Sequence, residues 1–308
     1  MAQPLVSIII PSYNQGRYIR ETIQSCLDQN YRPIEILILD GGSKDDTVPV
    51  LNSFDAPELH WWSESDGGVV DAVNKGLQRA SGDILTIQSS DDVFLPGAIT
   101  AAVSTLLQNP VAGLVYGDVE YIDADSRVTG ADVQGMFDLA EYLGRFMYIP
   151  QPGTCFTRAV LHAAGGWREN YSYAADADFW IRIAQQFPVC KIDRFVGRYR
   201  YHPEQRDLKR DSIARDWEGA INTLLSSGKL NSRQHRYARM GIHLAYYRYA
   251  PEMAWIYRTQ ELYAALWANP IAIFDVRFPK RELLPGRTPI WSLLSRIKRK
   301  LGFKPRTS

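Results

Sequence analysis

The sequence predicts an α/β fold, a mostly parallel mixed sheet flanked by helices, with a helical extension at its C-terminal end. Three observations carry this. Short apolar runs alternate with helix-periodic stretches from residue 5 to residue 92, the pattern of parallel strands covered on both faces. Each run stops at polar, glycine or acidic residues instead of flowing into the next helix. From about residue 205 the apolar spacing is helical alone.

In chain order, residues 5–10 form a β-branched strand, followed by the loop Pro11-Ser12-Tyr13-Asn14 and a helix marked by Ile19, Ile23 and Leu27. The unit then repeats. Residues 34–39 lead into Asp40-Gly41-Gly42-Ser43 and a short helix, residues 59–62 precede a helix near 69–80, and residues 83–88 make a fourth strand. Beyond residue 92 the alternation loosens, with strands expected at 114–116, 119–122 and 195–201 and long loops through the Gly- and aromatic-rich stretch 130–156. Two helical stripes follow, Ile213, Trp217, Ile221 and Leu224, then Tyr237, Met240, Leu244 and Tyr247. Pro285, Gly286 and Pro289 break the chain before a last short segment. The expected division is a sheet domain over 1–204, a helical extension over 205–284 and a basic amphipathic tail over 285–308.

A chain of 308 residues with 45% hydrophobic composition can bury a substantial core. The net charge of +1 gives no nucleic-acid signal, yet residues 280–308 hold nine Lys or Arg against Glu282 alone, leaving about −7 on the rest. If residues 290–303 are helical, Ile290, Trp291, Leu294, Ile297 and Leu301 share one face, flanked by Arg296, Lys298, Arg299 and Lys300. That pattern suits an interfacial helix on anionic lipid, and equally a helix packed on the body with a solvated basic face. Cys26, Cys155 and Cys190 are odd in number and in no zinc-like spacing, which points to a reducing compartment. With neither a leader pattern nor an apolar stretch of membrane-spanning length, the expected location is cytoplasmic, with peripheral contact at the inner face of the membrane.

Two adjacent carboxylates, Asp91 and Asp92, close the run 83–88, where an open α/β sheet binds its ligands. Hard cations such as Mg²⁺ and Mn²⁺ take oxygen ligands shared with substrate phosphates, so metal-bound phosphate is the first expectation for this pair. The plainer alternative is that both acids cap the helix expected after Pro96. The first strand is not followed by Gly-x-Gly-x-x-Gly, which excludes the usual nicotinamide dehydrogenase fingerprint.

The polar segments that follow the strands, together with several helical motifs, resemble the family 2 glycosyltransferases of GT-A fold. They are the run from Val6 to Asn14, Ile38-Leu39-Asp40-Gly41-Gly42-Ser43, Ser63-Glu64-Ser65-Asp66-Gly67-Gly68, Asp71-Ala72-Val73-Asn74-Lys75-Gly76, Ser81-Gly82-Asp83 and Ala175-Asp176-Ala177-Asp178-Phe179-Trp180. The resemblance is dense to residue 92 and resumes in patches to about residue 202. It implies that Asp40 binds the nucleobase, with Pro11, Tyr13 and Asn14 lining the same pocket; Asp40 before two glycines is also an ordinary turn residue. It implies donor contacts from Ser90 and Asp66, with Lys75 or Arg79 offsetting phosphate charge, and a metal or diphosphate site formed by Asp91, Asp92 and His202. Ser89 stands where the family's metal triplet has its first acid, and Ala175 where a Glu often precedes the catalytic Asp. Asp176 is then the expected base and Asp178 a cap or a positioning neighbour. Gln151-Pro152-Gly153-Thr154 is expected on the acceptor side, and Trp61, Trp62, Trp167 and Trp180 are candidates for stacking on sugars or for core packing.

The resulting expectation is an inverting, hexosyltransferase-like enzyme that uses Mn²⁺ or Mg²⁺. Its donor would be a nucleotide sugar of UDP or dTDP type, and its acceptor a hydroxyl of a cell-surface polysaccharide or lipid-linked glycan. A sugar nucleotidyltransferase is the enzyme alternative, although the Gly-rich basic loop that class carries after its first strand is missing. A silent glycan- or nucleotide-binding partner is the non-enzyme alternative, raised by Ser89 and Ala175. Donor hydrolysis with and without Mn²⁺ separates the three.

Overall fold

β1 (Val6–Ser12) is paired on one side with β2 (Ile34–Asp40) and on the other with β4 (Ile84–Ile87), both parallel, and β3 (Leu59–Ser63) extends the sheet beyond β2. The chain therefore leaves β1 first in one direction and later in the other, which opens a crevice at the carboxyl ends of β1 and β4. The structure, a computed structural model, describes residues 3–205, 208–249, 255–279 and 283. The expected tail helix over 290–303 lies outside those residues.

Beyond β4 the sheet becomes mixed. Its order is β3-β2-β1-β4-β8-β6-β9-β5, with β7 paired to β6. β8 (Cys155–Thr157) runs antiparallel to both β4 and β6 (Leu114–Ile122), β9 (Val189–Arg200) is parallel to β6, and β5 (Val93–Phe94) lies antiparallel on β9. β7 (Val128–Asp132) forms a hairpin with β6. The two segments expected at 114–116 and 119–122 are thus one strand, whose register against β9 shifts around Asp118. β5, β7 and β8 have two, five and three residues, too short to show as periodic runs inside a loop-like stretch.

Alternation along β1 divides the interior. Ile8 and Ile10 face α1 (Ile19–Leu27) and α4 (Ala98–Gln108), while Ile9 faces α3 (Val69–Arg79) and the aromatic core of Phe156, Phe179 and Trp180. α3 packs so closely on β1 that a Cβ at Gly76 would lie 2.3 Å from an Ile9 methyl. The short helix α2 (Thr47–Asn52) follows β2, and α5 (Leu139–Leu143), α6 (Arg158–Ala164) and α7 (Ala175–Ala184) surround β8 and lead into β9. Cys26 and Cys155 are buried in the face against α1 and α4, where desolvation pushes their thiols up to about 12 and leaves them inert.

The late helices are welded to this core. α8 (Arg210–Ser226) buries Trp217, Ile221 and Leu224 in the same cluster as Phe156 and Trp180, and α9 (Ser232–Tyr249) adds Ala238 and Ala245. The opposite side of α9 presents Met240, Leu244 and Tyr247 to Leu262 and Ala265 of α10 (Trp255–Ala268). A short 3-10 turn, Pro270–Phe274, then folds back to bury Ala272 and Ile273 in the same small cluster.

Where α9 crosses α5, a Cβ at Gly241 would lie 1.8 Å from the Leu143 carbonyl oxygen. Gly241→Ala should therefore destabilise the fold by about 2–3 kcal/mol through forced separation of the two helices. At Gly135, where an added Cβ meets nothing within 4 Å, the same change should leave the urea midpoint unaltered.

Candidate functional site

The carboxyl ends of β1, β2 and β4 open into a cleft of about 620 Å³. Pro11, Tyr13, Asp66, Ser90, Asp91, Asp92, Asp176 and His202 all line it, so most of the residues singled out from sequence converge on one place. Asn14, Asp40 and Lys75 are not in its lining.

Asp40 ends β2 at 2% exposure, and its own loop occupies it. One carboxylate oxygen accepts from the backbone of Ser43 (3.0 Å) and Gly42 (3.2 Å) and from the Ser63 hydroxyl (2.6 Å), while the other accepts from the Ser43 hydroxyl. Asn14, held at a left-handed φ of 52°, clasps the same loop: its N–H donates to Ser43 Oγ (2.7 Å) and its Oδ1 accepts from Lys44 N–H (2.9 Å). The turn-forming role of Asp40 is thus built, and it sets the β1 and β2 loops against each other. Lys75 is directed to Asp71 (3.0 Å) and Glu64 (3.7 Å). The Gly67 N–H, and next Lys75, hold the Asp71 carboxyl below its usual range.

Asp66 accepts the Gly68 N–H (2.8 Å) and lies against the backbone of Gly41, where any Cβ would sit 3.0 Å from its Oδ2. Glycine at 41 therefore keeps the carboxylate of Asp66 at the cleft wall.

Asp91 and His202 meet in the cleft, Oδ2 to Nε2 at 2.9 Å, with the imidazole buried against the Tyr18 ring. Asp92 is turned inward at 1% exposure, and its Oδ1 accepts the backbone N–H of Arg200 (2.8 Å). Neither acid caps α4, whose N-cap is Gly97 in the left-handed region without a side-chain bond. Thr22 of α1 donates beneath this turn to the carbonyls of Ser90 (3.0 Å) and Asp92 (2.8 Å).

Arg200, fully buried, ties the turn to the rest of the molecule. Its guanidinium donates to the Asp91 carbonyl (2.6 Å), Ser126 Oγ (2.8 Å), the Asp123 carbonyl (3.1 Å) and Glu21 Oε2 (2.6 Å), and lies over Tyr18. Nothing in the sequence marks this residue apart from its neighbours Arg194 and Arg198, because its partners come from three distant segments.

On the opposite wall, Asp176 occupies the first turn of α7, half-buried and lining the cleft. Burial pushes the Tyr142 phenol well above its ordinary value, and the Asp176 charge adds to the effect. Two residues on, Asp178 is buried and paired with Arg182 (2.8 Å) and Arg168 (3.4 Å). Arg182, whose burial lowers its pKa against the pull of Asp178, also donates to the carbonyls of Ala164 and Gly166. Asn74 holds Trp167 from the other side, donating to its carbonyl (2.9 Å) and accepting from its N–H (2.8 Å). Of the four candidate tryptophans only Trp167 lines the cleft; Trp180 is core, and Trp61 and Trp62 pack on the sheet faces, the latter under Arg79. Behind Trp167 lies a second cavity of about 540 Å³, bordered by Arg158 and His162. Gln151 lines the cleft and donates to Ser89 Oγ (3.1 Å), which is how the serine in place of an acid is used.

No group of three or more His, Cys, Asp or Glu side chains able to hold a metal ion exists among the described residues. The Asp91 and His202 side chains still fit a divalent cation as a two-donor set, one carboxylate oxygen and one imidazole nitrogen, completed by oxygens of a bound phosphate.

Comparison with known proteins matches residues 7–132 to the model of Glycosyl transferase family 2. An uncharacterised glycosyltransferase of Mycobacterium tuberculosis is 34% identical over 184 residues, covering 59% of this chain and 69% of the relative. TarS 1-349 of S. aureus, solved in complex with UDP-GlcNAc, superposes with a TM-score of 0.64 at 14% identity, over 91% of this chain and 83% of that one. Mannosyltransferase PcManGT of Pyrobaculum calidifontis, in complex with GDP-Man and Mn²⁺, gives 0.62 at 18% identity over 99% of this chain and 82% of its own.

Arg200→Met should destabilise the protein by about 2 kcal/mol or more, since it strands several partners of a buried cation. Hydrogen exchange at the amides of residues 90–92 should speed up in that variant. Glu21→Gln should do much less, because the Glu21 side chain is 41% exposed and can be rehydrated.

Proposed function

The chain belongs to glycosyl transferase family 2 and has the GT-A fold; from that premise we propose an inverting transferase that moves one sugar from a nucleoside diphosphate of UDP or dTDP type to a hydroxyl of a cell-surface or lipid-linked glycan. The carrying observation is that Asp176 and the Asp91–His202 pair line one cleft from opposite walls. The named donors of the two superposed structures, UDP-GlcNAc and GDP-Man, support a nucleotide sugar as the substrate class.

In this reading the donor lies across the ends of β1 and β4. Tyr13, 59% exposed, covers the base, while Pro11, Ser90 and Asp66 line the path to the sugar. Asp40 and Asn14 act from outside the cleft by fixing the loops that shape the base pocket. Asp91 and His202 would hold Mn²⁺ or Mg²⁺ together with the diphosphate, and the cation would supply charge compensation for the leaving group. The PcManGT complex, which contains Mn²⁺, supports that assignment.

Asp176 accepts the proton of the acceptor hydroxyl as that oxygen attacks the anomeric carbon, the bond to the diphosphate breaks, and the configuration inverts. Trp167, mostly buried and pinned by Asn74, borders the cleft near Asp176. Residues 1–204 carry this chemistry, 205–284 support it, and the basic tail 285–308 touches the inner face of a membrane through residues 290–303.

Asp176→Asn should lower transfer by roughly 10² to 10⁴ with donor affinity nearly unchanged, and a fully active variant would reject the base assignment. Calorimetry with UDP and dTDP separates the two donor-side acids. Asp91→Asn should weaken binding in Mn²⁺ and change it little in EDTA, whereas Asp40→Asn should weaken it in both, since it disrupts a loop rather than a ligand.

A further inference from the structure

We propose that the corner made by the end of α10 and the turn after it is a docking surface for an anionic lipid bilayer, separate from the catalytic cleft. α10 turns Leu262 and Ala265 inward against α9. Its other side carries Gln260, Tyr263 and Trp267 at helical spacing, and the exposed row continues into Ile271 and Val276. Trp267 is 88% exposed, Val276 87% and Ile271 53%, although the adjacent Ala272, Ile273 and Phe278 are buried. Scattered apolar residues on a surface need no explanation, but here the largest side chain of the segment is the most exposed large hydrophobic among the described residues, with two more within ten positions.

The charge around this corner selects the occupant. Between Trp255 and Pro279 the acids are Glu261 and Asp275 alone. Glu261 is bound to His243 (2.8 Å), and Asp275 shares Arg277 (2.7 Å) with Glu141 (2.8 Å), so each of these acids is engaged within the protein. Immediately afterwards come the nine Lys and Arg of residues 280–308, with Glu282 as their only acid. Exposed Trp and Tyr followed in the sequence by a basic stretch match the two layers of a membrane interface, acyl boundary and anionic headgroups. A protein partner would not require that concentration of one charge.

The test uses the full chain with phosphatidylcholine vesicles and with vesicles containing phosphatidylglycerol. Binding should require phosphatidylglycerol and weaken as salt is raised. Trp267→Ser should weaken it at least tenfold with an unchanged melting temperature, Trp267→Phe should retain most of it, and Val276→Asp should act like the serine variant. In a Trp291→Phe background, lipids brominated in the acyl chain should quench the protein's tryptophan emission, and that quenching should be largely lost when Trp267→Phe is added, a variant that still binds. Full binding by Trp267→Ser overturns the proposal, as does absence of quenching. A wild-type dimer in sedimentation velocity that Trp267→Ser converts to monomer, with no vesicle binding by either, would assign the face to a second copy and also overturn it. None of these readouts depends on glycosyl transfer, so their failure leaves the catalytic reading untouched.

Discussion

The buried guanidinium of Arg200 is the constraint on which the working end of the molecule depends. A fully buried cation needs every donor matched, and its partners are the Asp91 carbonyl, the Asp123 carbonyl, Ser126 and Glu21. Those groups belong to the turn after β4, the β6–β7 hairpin and α1, which the sequence keeps far apart. Their common attachment to one side chain makes the register of three loops a single decision. Asp92 extends it, because its carboxylate takes the Arg200 N–H and so spends the second acid of the pair on structure. Asp91 is left to face the cleft with His202, two residues further along the same chain.

The opposite wall follows the same logic with a different ion pair. Asp178 and Arg182, one helical turn apart and both buried, direct the remaining guanidinium hydrogens to the carbonyls of the loop that carries Trp167. A buried pair of this kind contributes little net stability against well-packed apolar groups. Its effect lies in geometry, since it fixes a loop of otherwise free carbonyls beside a half-buried carboxylate. Asp176 thus stands on a helix end whose position is set from within the core by the residue two places after it.

Much of this was legible before the fold was known, and what was not has physical reasons. The first four strands announced themselves as short apolar runs, Ile-rich in β1, β2 and β4 and aromatic in β3, and their polar ends located the cleft. Asp91 was marked by its place at a strand end, His202 and Asp176 by the family resemblance, and all three line that cleft. Lys75 was not separable from its helix neighbours by type alone; only the fold shows it paired outward with Asp71 and Glu64. Asp40 was readable two ways, and three hydrogen bonds within its loop, with a fourth from Ser63 at the end of β3, bring out the turn role that its two glycines had suggested. Arg200 and Thr22 went unmarked, and Asn74 was marked only as part of a motif without a partner, because their partners lie 68 to 179 residues away in the chain and no periodicity encodes such separations.

Trp167 borders two hollows, the cleft at the strand ends and the smaller cavity near Arg158 and His162. Its backbone is pinned through Asn74, but its indole nitrogen is buried without a hydrogen-bond partner among the described residues, so packing alone holds the ring in place. A substitution at this one position would therefore change the lining of both spaces at once.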